Sequence, residues 1–252
     1  MISLKDSAVE AVRIVLDTVS WKTPDGITTG YPRLDNLTRG MQKGSLTLLV
    51  SPPSLGKTAF ALNVVANLTD REPETPILYC SGLCHTELTF RLLAIASGAV
   101  WSPDRDPRPD EAAALTGCVT EKQNAPLFFE ELRNADGGLP ASLRESCAGE
   151  RIGLLIVDPA RRKDLPELKL LARELDIPVL ALLSDGRKRK PPLDPGAADT
   201  VIRLVRDRHE AGTGRGAPAA LIVTRNRFGM CGTCRMDFFP HTMRFRESGC
   251  GI

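Results

Sequence analysis

Residues 51–58, SPPSLGKT, stand between an apolar run at 46–50 (LTLLV) and an apolar-periodic stretch at 59–68 (AFALNVVANL), so a strand that stops meets a helix that starts. That junction is where a phosphate-binding loop belongs. The first N–H groups of a helix have no partner within it, and the positive end of the helix dipole lies behind them, so the turn favours a polyphosphate. Lys57 supplies a cation for the outer phosphates, and the Thr58 hydroxyl can ligate the Mg²⁺ that travels with them. The usual spacing is GxxxxGK[ST]; Ser51 stands where the first Gly would be, while Gly56, Lys57 and Thr58 are intact. Pro52 and Pro53 fix φ and stiffen the loop, and Ser54 and Leu55 complete it.

A chain of 252 residues can form one large α/β domain with a proper core. A formal net charge of +2 excludes a globally basic protein, so any nucleic-acid contact has to come from local clusters. The seven Cys are scattered, and the start, MISLKD, is charged within six residues, so we expect no secretory leader, reduced thiols and a soluble, cytoplasmic protein. No apolar stretch approaches the ~18 residues of a membrane span, and no membrane partner is expected.

Residues 1–22 read as an amphipathic helix, with Leu4, Ala8, Ala11, Val12, Val15, Leu16 and Val19 on one face and Ser3 as N-cap. It can serve as a linker that docks on a neighbouring subunit, or pack on its own domain. Residues 23–252 read as the main domain. Strands are expected at 76–81, 127–129, 152–157, 178–183 and 200–205, with helices at 87–97 and 165–175. Continuous apolar runs separated by helices indicate a parallel sheet covered on both faces. Residues 219–224 and 233–239 flank a Gly-bearing turn and read as a terminal antiparallel hairpin, while 101–109 and 187–195 are Pro-rich, charged surface loops. Asp158 ends the 152–157 run. A carboxylate at the carboxyl end of a parallel strand lies over the ligand crevice and can hold Mg²⁺.

Several stretches in order then carry a resemblance: GITTGYPRLD at 26–35, GMQKG at 40–44, SPPSLGKTAFALN at 51–63, RLLA at 91–94, LARELDIPV at 171–179, Ala198 and Asp199, Arg206 and Asp207, and the terminal hairpin. Over roughly residues 1–246 the chain resembles the RecA-like motor domain of DnaB-type replicative helicases. The resemblance implies a RecA-like P-loop NTPase fold and an ATP-driven (or other NTP-driven), Mg²⁺-dependent motor on single-stranded DNA. It also implies a homo-oligomeric ring, a hexamer, with possible replication partner proteins. In this family the hairpin of one subunit supplies a basic residue and an arginine finger to its neighbour's nucleotide, and Arg225 and Arg227 match those positions in trans.

Two departures qualify the activity. The family's water-orienting Glu after the second strand falls at Gly82, and its Gln after the 178–183 strand falls at Ser184. Glu130 and Glu131, after the next strand, are the nearest substitutes. Three readings follow: an ATP-dependent DNA helicase motor; a hydrolysis-poor nucleotide-binding relative acting as ring subunit, loader or regulator in DNA replication; and a recombinase- or clock-type RecA-like ATPase, which should lack the opening motif and the arginine hairpin. The length leaves no room for the family's amino-terminal collar domain, so we expect either that primase contact and ring loading belong to another protein or that this is a stand-alone variant. Arg187, Lys188, Arg189 and Lys190 fall where the family's channel-lining loops begin and can track DNA phosphates or form a solvated loop. Cys231 and Cys234 form a CxxC with His241 and Cys250 downstream, but the family has a metal-free Gly-rich turn there, so no zinc is expected. Cys80 and Cys84 read as core or near-core thiols.

Overall fold

The computed structural model describes residues 26–100, 106–132, 139–148, 151–185, 196–206 and 216–249. The expected helix at 1–22, the tetrad at 187–190 and Cys250 lie outside the described residues.

Nine strands form one sheet: β1 (Leu46–Ser51), β2 (Ile77–Ser81), β3 (Leu127–Glu131), β4 (Leu154–Ala160), β5 (Val179–Ser184), β6 (Thr200–Arg206), β7 (Ala217–Asn226), β8 (Gly232–Phe239) and β9 (Arg244–Glu247). Their order is β3-β2-β4-β5-β1-β6-β7-β8-β9. The first six in that order pair in parallel, and β7, β8 and β9 continue antiparallel. Six α-helices are described: α1 (Pro32–Thr38), α2 (Lys57–Arg71), α3 (His85–Ser97), α4 (Pro109–Lys122), α5 (Leu139–Ala148) and α6 (Leu165–Leu175).

The apolar runs explain the layering. Successive strand residues face opposite sides, so Leu48 and Leu49, both 0% exposed, belong to opposite layers. Leu49, Tyr79, Ile156 and Leu182 pack with α2 and α3 residues such as Phe60, Leu62 and Leu88. Leu48, Leu78, Leu155 and Ala181 pack with Leu143 of α5 and Leu165, Leu168 and Leu171 of α6. Each fully buried Leu contributes about 1.5–3 kcal/mol of apolar burial, and a sheet covered on both sides needs apolar residues at every position. That is why these strands read as continuous runs.

The expected strands and the helix at 165–175 appear with ends shifted by at most three residues. The terminal hairpin is longer than expected and acquires a third strand, β9, which pairs with β8. The expected loop at 101–109 ends at Pro109, the first residue of α4, where its missing N–H costs nothing. Helix α1 has no side-chain cap of its own at Tyr31; instead the Glu247 carboxylate accepts the amides of Arg33 at 2.8 Å and Leu34 at 3.4 Å. Asp35 in turn accepts Thr28 Oγ1 at 2.5 Å, Thr29 N at 2.9 Å and Thr29 Oγ1 at 2.7 Å, which folds the opening motif onto the domain. Among the described residues no helix is long and apolar enough to cross a membrane.

Candidate functional site

The phosphate loop lies at the carboxyl end of β1. Gly56 is the N-cap of α2 with φ 102°, and Ser54 has φ 63°. Left-handed residues of this kind turn successive amides toward a shared concavity. A Cβ on Gly56 would also approach Phe245 Cζ to 3.3 Å, so both backbone and neighbour select glycine. The first turn of α2 carries no acidic residue and no side-chain cap, leaving its amides and dipole to an anion.

Lys57 is 8% exposed. Its ammonium donates to the Ser51 carbonyl at 3.0 Å, Ser51 Oγ at 3.2 Å and the Pro52 carbonyl at 3.0 Å. Ser51, the departure from the usual glycine, thus takes part in the loop by holding the cation. Thr58 Oγ1 donates to Asp158 Oδ2 at 2.6 Å, and the Tyr79 hydroxyl donates to the same oxygen at 3.1 Å. Strand register delivers this cluster: Ser81 is paired with Asp158, and alternation puts Tyr79, two residues earlier in β2, on the same face. Burial pushes the Asp158 carboxyl above its ordinary range, only partly opposed by hydrogen bonds from Thr58 and Tyr79 and by the charges of Lys57 and Arg91. Burial, then the Asp158 charge, drives the Tyr79 hydroxyl well above its own range. An adjacent hydroxyl and carboxylate are hard oxygen donors, which suits Mg²⁺. Tyr79 escaped the sequence reading, since its role depends on cross-strand register rather than on any motif.

Gly82 lies beside this cluster, its amide donating to the Asp158 carbonyl at 2.9 Å. The position of the family's carboxylate therefore borders the end of β4 but carries no side chain. Ser184 closes β5 in register with Ser51. Sheet order places β3 two strands from β4 and four from β1, roughly 10 and 19 Å away. The sheet does not deliver Glu130 and Glu131 to the phosphate loop: Glu131 lies 3.6 Å from His85, and Glu130 accepts a long 4.0 Å contact from Cys80 on the other face.

Arg225, in β7, and Arg227, just beyond it, sit at the opposite end of the sheet, level with the amino ends of the parallel strands. The Arg227 amide donates to the Asp199 carbonyl at 3.1 Å, and the Arg227 guanidinium lies 3.4 Å from the Asp199 carboxylate. Lys169 is 3.1 Å from that carboxylate, and the Leu46 amide donates to it at 3.1 Å. Burial alone would raise the Asp199 carboxyl, but the Leu46 amide, Lys169 and Arg227 together hold it below its ordinary range. Arg225 pairs with Val201 across the sheet and has no side-chain partner among the described residues. Arg227 is level with Leu46, five residues or about 17 Å along the strands from Ser51, and Arg225 with Leu48, three residues or about 10 Å. Neither reaches the loop within this chain.

The cysteines divide by position. Cys80 is buried, as expected, but Cys84 is exposed, because it lies beyond the strand end as the N-cap of α3. Cys231 is exposed, while Cys234 is buried against Glu247 and its thiol is pushed up to about 12, first by burial and then by that carboxylate.

Residues 26–161 match the family model described as the DnaB-like helicase C terminal domain. The chain belongs to this DnaB-like family. It is 32% identical over 249 residues to a protein of Treponema pallidum named replicative DNA helicase DnaB, covering 87% of this chain and 56% of that protein. To the replicative DNA helicase DnaC of Bacillus subtilis it is 27% identical over 258 residues, again across 87% of this chain and 56% of the relative. The DnaB-like chain thus spans little more than half the length of these curated relatives. Among solved structures, the ATPase domain of G40P superposes with TM-score 0.77 at 22% identity, covering 94% of this chain and 97% of that one. A DnaB-like replicative helicase solved for its interactions with primase superposes with TM-score 0.78 at 22% identity, covering 97% of this chain and 67% of that one. The RecA-like fold read from the DnaB-like motifs is the fold observed.

Proposed function

We propose that this chain is the ATP-driven motor domain of a replicative DNA helicase, working as a ring, a hexamer, on single-stranded DNA with other replication proteins. The observation that carries the reading is the separation of two half-sites on one sheet. Lys57, Thr58 and Asp158 stand at the carboxyl end of the parallel strands, and Arg225 and Arg227 stand at the other end, so a complete site needs two subunits. Within one subunit, Ser51, Pro52, Pro53, Ser54, Leu55 and Gly56 wrap the phosphates, and Lys57 neutralises their charge. Thr58 and Asp158 would hold Mg²⁺, which would supply neutralisation of phosphate charge. The neighbour's Arg227 then offsets charge on the transferring phosphoryl group, with Arg225 beside it, an effect worth ~10³ to 10⁵ in rate.

Gly82 and Ser184 favour a second reading, a hydrolysis-poor ring subunit, loader or regulator. A missing positioned base costs ~10² to 10⁴ in rate, which slows turnover without touching the residues that bind nucleotide. ATP turnover with and without single-stranded DNA, measured beside nucleotide affinity, separates the two. Tight binding with DNA-stimulated turnover supports the motor; tight binding with turnover at background supports the second reading. Residues 1–22 are the proposed docking arm, so deleting residues 1–20 should reduce the mass of the oligomer in light scattering, and an unchanged mass removes that role.

A further inference from the structure

We infer that Cys84, His85 and Glu131 form a binding site for a borderline-soft divalent cation such as Zn²⁺, separate from the Mg²⁺ position at Thr58 and Asp158. The topology makes the cluster. Cys84 is the N-cap of α3 and His85 its first residue, so both follow directly from the end of β2. β3 pairs with β2 so that its last residue, Glu131, is opposite Ser81. One ligand atom from each of the three side chains, a sulfur, an imidazole nitrogen and a carboxylate oxygen, lies within 4.8 Å of the other two. His85 Nδ1 and Glu131 Oε1 are 3.6 Å apart.

Tetrahedral zinc with Zn–S near 2.3 Å and Zn–N or Zn–O near 2.1 Å places its ligand atoms roughly 3.4–3.6 Å from one another. The histidine and carboxylate already meet that spacing, and closing the sulfur onto them takes about 1 Å of side-chain movement in groups that are all exposed. Thiolate is the form that ligates metal.

Donor chemistry separates the two sites. Thiolate with imidazole and carboxylate selects zinc-like ions, whereas the hydroxyl and carboxylate of Thr58 and Asp158 select hard ions. Three protein ligands leave a fourth position open to water or to a small anion. Cys231, the other exposed cysteine among the described residues, stands on the terminal hairpin, on a different element, and serves as a control.

The test is a Co²⁺ titration of the full chain under reducing conditions, followed by displacement with Zn²⁺. A thiolate-to-cobalt charge-transfer band should rise to one equivalent, disappear in Cys84→Ser, and shift to about tenfold or more higher cobalt in His85→Ala and Glu131→Gln. Cys231→Ser should leave it intact. No such band in the unmodified chain would overturn the site, leaving an exposed contact between His85 and Glu131. A band that survives Cys84→Ser, or that is lost in Cys231→Ser, would also overturn it.

Discussion

Thr58 donates its hydroxyl to Asp158 at 2.6 Å, tying the first turn of the loop helix to a strand end one hundred residues later. The acceptor is a carboxyl that burial holds above its ordinary range. A carboxyl raised in this way binds its proton more tightly in the folded chain than in the unfolded one. Its stabilising contribution is therefore full below the unfolded value, about 3.9, and is lost as pH rises through the folded value. At neutral pH the ionised carboxylate opposes folding. Asp158→Asn keeps an oxygen for Thr58 and Tyr79 and removes the charge. It should raise stability at pH 7 by roughly 0.5–2 kcal/mol, with the gain vanishing below about pH 4. Mg²⁺-dependent nucleotide affinity should fall in parallel. Thermal melts at the two pH values, with calorimetric titration of nucleotide with and without Mg²⁺, check both halves; a lower melting temperature at pH 7 contradicts the assignment.

Gly82 offers a gain-of-function test. A Cβ built there meets nothing closer than Pro159 Cδ at 3.4 Å, an ordinary contact, and the residue is not among those with positive φ. Gly82→Glu should therefore fold normally and raise DNA-stimulated ATP turnover by ~10² to 10⁴. Gly82→Gln has nearly the same shape and no base, so it should stay at the parental rate. Equal rates for the two variants would show that a carboxylate at this position is not what limits hydrolysis.

The contrast between Lys57 and Tyr79 shows how far the sequence was legible. Lys57, Thr58 and Asp158 stand at positions that a strand-loop-helix pattern and a strand end mark directly. Tyr79 holds the same carboxylate, but only cross-strand register brings it there. The central strands were legible because both faces are buried and most of their residues are apolar. Helix α1 was not, because seven residues carry little periodicity and its cap, Glu247, lies 214 residues from Arg33. Helix α4 hid for the opposite reason: it is a surface helix that buries only Glu111 and Cys118. Cys84 was misread because proximity to a buried strand says nothing about the loop just beyond its end.

Arg225 and Arg227 are too far from their own loop to serve it, so their effect should pass between subunits. Arg227→Ala should leave nucleotide affinity within about twofold of the parent while lowering turnover by ~10³ to 10⁵. The stability change should be small, since the side chain is 60% exposed and Lys169 still faces Asp199. Lys57→Ala should instead lose binding. When the two inactive chains are mixed, some interfaces pair an intact phosphate loop with an intact Arg227, and a fraction of activity should return. No recovery from mixtures shown by light scattering to co-assemble would place the arginine's role within one subunit.

The tetrad Arg187, Lys188, Arg189 and Lys190 is tested by salt dependence. In sequence the tetrad falls between β5 and β6, the two strands that flank β1 in the sheet. If the four charges track single-stranded DNA, each phosphate contact contributes about 0.7 to the slope of log affinity against log salt. Replacing all four by Ala should then flatten the slope by up to about 2.8 and weaken DNA binding most at low salt. Nucleotide affinity, which we propose rests on Lys57, Thr58 and Asp158, should be unchanged. Fluorescence anisotropy of a labelled oligonucleotide across a salt series measures this. A slope equal to that of the parent chain would assign the tetrad to solvent and leave DNA contact to other residues.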